Sequence, residues 1–177
     1  MLETYIRVVD DLNDRIGRAV AWLSLGCVLV CFATVYLRYV MGRGYIWLQE
    51  LYVWEHAITF LVGAGYTFLY GGHVRVDIFY ARMKTRTKAW VDLVQTVVFL
   101  FPFIGLILEK SWPYFWVAFL RGERSEQPDG LPALWVLKFM LVAFCVVVLL
   151  QAVAMIFRCI LVLQGREDYL VKAQGQH

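Results

Sequence analysis

Two carboxylates, Glu50 and Glu55, are the side chains of this sequence best placed to do chemistry, because they stand at the head of an apolar run from Leu51 to Tyr70. A charge at the centre of a membrane helix disfavours insertion by roughly 2.5–3.5 kcal/mol, so an acid kept there is a functional-site candidate, a proton relay for instance. Both, however, fall in the first turns of the run, where the positive end of a helix and headgroup water favour an anion. Glu55 lies about 7.5 Å further along the axis and is the one that needs a partner, either Arg38 or a residue of another subunit. A relay would need a next acid, histidine or amine, and Ile58 to Tyr70 contains none. The residues therefore favour structural anchoring for both acids.

The other reactive residue types do not assemble into a centre. Cys27 and Cys31 share a helix face, but a structural zinc site wants four Cys or His ligands and no histidine is near them in sequence; Cys145 and Cys159 fall in apolar stretches as well. Of His56, His73 and His177 only His56 lies within an apolar run, whereas a b-type haem is normally held by two imidazoles. There is no glycine-rich phosphate loop and no cluster of acids within one span. No catalytic residue, metal or cofactor is expected in this chain, and it does not read as an enzyme. Gln151, also in an apolar run, is expected to form an interhelical hydrogen bond worth about 0.6 kcal/mol, and Asp92 to be neutralised by the basic segment before it.

The elements that carry these residues are membrane helices. With 61% hydrophobic and 16% aromatic residues in 177, the chain is too apolar for a soluble domain. The expected fold is an all-α integral membrane protein, residues 1–177 forming a single four-helix domain. An amphipathic interfacial helix over 1–18 places Leu2, Tyr5, Ile6, Val9, Leu12 and Ile16 on one side and Glu3, Arg7, Asp10, Asp11, Asp14 and Arg15 on the other. Spans are expected at about 19–37, 51–70, 90–110 and 133–163. Thr85 or Thr87 is a candidate cap for the third, and Glu109-Lys110, between Pro102 and Pro113, marks its exit from the membrane before the aromatic residues Trp112, Tyr114, Phe115 and Trp116. Pro132 suits the first turn of the last helix.

Orientation follows from charge. If the termini and the second connection share one side, that side holds Arg7, Arg15, Arg18, Arg75, Arg82, Lys84, Arg86, Lys88, Arg158, Arg166 and Lys172, eleven of the 17 cations. By the positive-inside rule both termini are expected in the cytoplasm. The formal charge of +3 is modest and its basic residues border apolar spans, which points to phospholipid and away from nucleic acid.

Several short patterns, taken together and in order, resemble a known family. They are Arg38-Tyr39, Trp47-x-x-Glu50, the pair Gly63 and Gly65, and above all Gly72-His73-Val74-Arg75-Val76-Asp77; later come Ser111-Trp112, Gly122-Glu123-x-Ser125, Leu131-Pro132 before Lys138, and Gln151. The chain resembles the small membrane (Q, or DctQ-like) subunit of tripartite ATP-independent periplasmic (TRAP) transporters over most of its length. The resemblance implies a bacterial inner-membrane scaffold in sodium-driven organic-acid uptake, its partners a large membrane subunit (M) that binds Na+ and substrate and a periplasmic substrate-binding protein (P). A membrane anchor of a redox enzyme, or a small autonomous channel or exporter, are the alternatives. Candidate interface residues are Arg38, Trp47, Glu50, Glu55, His73, Arg75 and Asp77, with the row Thr59, Gly63, Thr67 and Gly71. That row recurs every fourth residue and drifts by about 40° per step, giving a ridge of small residues for helix packing in lipid.

Overall fold

A computed structural model describes residues 1–71, 80 and 83–166, and among them every regular element is helical. Helix α1, Leu2–Tyr39, is continuous over 38 residues. The boundary expected between an interfacial helix and a first span is therefore absent. No proline falls between Leu2 and Tyr39, and Gly17, the glycine at the expected boundary, is too weak a breaker to stop a helix whose neighbours are packed. Its buried residues Ile6, Val9, Asn13, Gly17 and Val20 recur every three or four positions, as a single packed face requires.

The chain reverses through Gly42, at φ +66°, and returns as α2, Ile46–Val62, continued by the short α3, Ala64–Leu69. The expected second span is thus split at Gly63. The split is shallow: Gly63 N–H still donates to Thr59 O (3.0 Å) and Thr67 N–H to Gly63 O (3.0 Å). Gly71, at φ +64°, ends this arm in the left-handed region that glycine tolerates. His73, Arg75 and Asp77 lie outside the described residues.

Helix α4, Thr85–Gln95, runs through a π-helical turn, Thr96–Leu100, into α5, Phe101–Leu120. Thr85 and Thr87 do not cap it; the N-cap is Lys84, without a side-chain cap bond. The π turn falls just before Pro102, which has no N–H to give and whose ring crowds the preceding carbonyls; Phe101 N–H reaches back to Thr96 O instead. Pro113 does not end the helix either. Glu109 and Lys110, read as a membrane exit, sit mid-helix as an exposed ion pair at 2.8 Å. Beyond them Trp112 stacks on Trp116, centroids 6.0 Å apart, and Phe115 and Phe119 meet Phe139 and Trp135 at 5.2 Å.

The last helix, α6, Leu134–Leu163, starts beyond Pro132, so that proline lies outside its first turn; Ala133 holds the N-cap at φ +68°. Helix α6 carries the largest buried surface and the others pack around it. Ala154 and Leu161 meet Ile6 and Val9; Cys145, Val147 and Val148 meet Ile104; Met155, Cys159 and Val162 meet Ala89. Three stretches, Leu2–Tyr39, Thr85–Leu120 and Leu134–Leu163, are long and apolar enough to cross a membrane. By itself α2, about 26 Å long, falls short of a hydrocarbon core of about 30 Å. The fold is that of a helical membrane protein, with the segment expected as a second crossing divided between α2 and α3.

Candidate functional site

The polar side chains gather at the two ends of the bundle. At one end is Glu50, in the first turns of α2. The hydroxyl of Ser125 and the backbone N–H of Leu131 (2.6 Å) donate to its two carboxylate oxygens, so a single acid fastens both sides of the loop between α5 and α6. Gly130 makes this approach possible, since a Cβ there would lie 2.9 Å from Glu50 Oε1 and closer still to Ser125. Beside it Lys138 donates to Glu123 and stands 4.0 Å from the Tyr114 ring centroid. Four residues from three of the sequence patterns, Glu50, Glu123 with Ser125, and Leu131, are thereby brought together. Trp47, half-exposed, lies one turn before Glu50 with its ring 6.4 Å from that of Tyr45.

At the other end Asp10 of α1 accepts from Arg158 and, at 3.2 Å, from Gln151 Nε2, while Asn13 Nδ2 donates to Gln151 Oε1 at 2.7 Å. Gln151 thus makes the interhelical bond expected of it. Its partners were not legible, because Asp10 sat on the polar side of the sequence pattern and Asn13 belonged to neither face. Asn13 and Gln151 are each only 1% exposed. Gly65 lets α3 close on them: a Cβ there would overlap Asn13 Oδ1. Further out, Arg166 donates to Glu3, and Tyr70 (2.7 Å) and Arg18 (2.8 Å) to Asp14. Asp92, 4% exposed, accepts from Tyr80 at 2.6 Å, and Lys88 stands over that tyrosine's ring.

Between the ends the helices meet with little polarity. Glu55 packs against Gly26, where a Cβ would be 3.1 Å from Oε1; its Oε2 is buried and makes no hydrogen bond. Among the described residues no ion pair joins it to Arg38, which is exposed in the last turn of α1 and far along that helix from Gly26. Thr59 donates to Glu55 O (2.8 Å) and lies 3.4 Å from Val20 O. The row Thr59, Gly63, Thr67 forms one wall of an open groove of about 610 Å³, with Gly17, Ala21 and Ser24 of α1 opposite. No helix of the described chain fills it. At Gly63 a Cβ would meet the Thr59 carbonyl of its own chain, whereas close packing between helices belongs to Gly65 and to Gly17, which lies under the Tyr66 ring. Among the described residues no three of His, Cys, Asp and Glu converge as metal ligands do.

The sequence model for the DctQ component of tripartite ATP-independent periplasmic transporters matches residues 27–162. The chain is 27% identical over 141 residues to a C4-dicarboxylate TRAP transporter small permease protein, DctQ, of Vibrio cholerae; the alignment covers 79% of the chain and 60% of that relative's length. No solved structure matches it.

Proposed function

The chain belongs to the DctQ family of TRAP transporter components, and from that premise we propose that it is the scaffold against which a large membrane subunit carries an organic acid inward with sodium, after delivery by a periplasmic binding protein. The observation that supports this most is where the charges of the chain are used. Asp10–Arg158, Glu50 with its loop and Glu123–Lys138 hold helix to helix or loop to helix, which is what a rigid support needs. Sodium and substrate are bound by the large subunit in this reading. In liposomes the chain alone should move no organic acid, and the large subunit with binding protein should lose uptake when the chain is omitted. Uptake by the chain alone, or undiminished uptake without it, would refute the reading.

The orientation proposed places both termini and the segment from Arg75 to Lys88 in the cytoplasm, and Gly42 to Ile46 and Arg121 to Gly130 in the periplasm. It is supported by the pairing of Glu50 with Ser125 and Leu131 at one end, opposite the pairing of Asp10 with Arg158. A cysteine replacing Ser125 should react with an impermeant maleimide added to spheroplasts, and one replacing Lys84 only after lysis. The reverse pattern would invert the topology.

A further inference from the structure

Glu109 and Lys110 of α5 form an ion pair that fastens no helix to another. The two side chains meet at 2.8 Å and are 65% and 78% exposed. Just beyond them Trp112, Tyr114 and Trp116 are exposed on the same helix, and aromatic residues so placed mark the headgroup level of a membrane helix. Glu109 lies about 4.5 Å before Trp112 along the axis, where headgroups give way to acyl chains. An exposed pair is worth little in water, but at this depth water is scarce, and both charges gain from a ligand that brings the opposite sign to each.

The pair stands at an apolar groove. Between α5 and α6 an open space of about 630 Å³ is lined by Gly105, Leu108, Glu109, Trp112, Val142 and Val146. Glu109 supplies its charge, and the other five residues its apolar walls. Gly105, one turn before Glu109, widens the groove without serving the packing of the chain, since a Cβ there would meet nothing within 4 Å.

Charge and shape together select the occupant. A helix of another protein would have to place an acid and a base opposite the pair and a side chain in the groove. A phospholipid with an ethanolamine headgroup carries all three at once: a primary ammonium that can donate to the Glu109 carboxylate, a phosphate that can accept from Lys110, and an acyl chain. Phosphatidylglycerol has no cation for Glu109, and the quaternary ammonium of phosphatidylcholine has no N–H to give. We propose that this groove holds one molecule of phosphatidylethanolamine from the leaflet on the side of the loop between α5 and α6. Its ammonium meets Glu109, its phosphate meets Lys110, and one acyl chain runs along Gly105, Val142 and Val146. The proposal requires that α5 and α6 cross the membrane and is independent of the scaffold reading.

The test offers the purified full chain, stripped of lipid in detergent, equal amounts of phosphatidylethanolamine, phosphatidylglycerol and phosphatidylcholine, and counts retained lipid by native mass spectrometry. Phosphatidylethanolamine should be retained about fivefold over either competitor, the worth of one charged contact at headgroup level. Glu109→Gln combined with Lys110→Gln should abolish the preference, and Gly105→Leu should lower retention by filling the groove. The substituted positions are exposed, so Tm in lipid-free detergent should stay within about 2 °C of the parent. A benzophenone side chain replacing Trp112, in membranes that also contain the large subunit, should link on irradiation to phospholipid. Equal retention of the three lipids, an undiminished preference in the double variant, or linkage from position 112 to a protein would overturn the site.

Discussion

Arg158→Met should destabilise the fold by about 3 kcal/mol, the low end of the range for breaking a buried ion pair, because Asp10 keeps 30% of its side chain exposed. The loss should reach beyond one bond. With Arg158 gone, Asp10 faces the apolar flank of α6 with only Gln151 as donor, and Gln151 is itself bound to Asn13 under Gly65. In detergent the expected fall in Tm is about 6–12 °C for a chain of this size. Asp10→Asn combined with Arg158→Met should recover more than half of it, since Asn keeps an acceptor for Gln151 and leaves no unpaired charge. A double variant that is as unstable as the sum of the singles would show that the pair is not coupled.

Glu50→Ala should release the loop between α5 and α6. It removes both acceptors of the clamp and leaves the Leu131 N–H without its partner, a change of about 1–2 kcal/mol that raises the open population five- to thirtyfold. Arg121 and Arg124 are exposed in that loop, so trypsin reads the opening directly. Cleavage there should accelerate by at least fivefold for Glu50→Ala and by less than twofold for Glu50→Gln, whose carbonyl can accept from Leu131 while its amide donates to the Ser125 hydroxyl. Equal cleavage of the parent and Glu50→Ala would mean that the acid does not hold the loop.

Which parts of this were legible in the sequence depends on how local their cause is. Apolar runs declared membrane helices because length and composition alone decide insertion, and Gln151 stood out as a polar residue in such a run. Short patterns around Glu50, Ser125 and Leu131 were visible singly, but their convergence needs the start of α2 to meet the loop between α5 and α6, which no local periodicity encodes. The uninterrupted α1 was missed because its composition changes near Arg18 while its backbone has no reason to break there. At Gly63, where composition is uniform, the backbone turns shallowly between α2 and α3 while the helical bonds on either side of it are kept. Arg38 was a reasonable partner for Glu55 by charge; the register of α1 on α2 sets Gly26 there instead.

The junction between Asp10 and Arg158 also sets a clock on biogenesis. The two residues are 148 positions apart, so at about 5–20 residues per second the ribosome makes the second about 7–30 s after the first. For most of that interval α1 is complete, yet Asp10, Asn13 and the apolar strip of Ile6 and Val9 have no α6 to rest on. The nascent first helix must be sheltered by the insertion machinery or held at the headgroups until the last helix emerges, and the packing of the whole bundle can be completed only then.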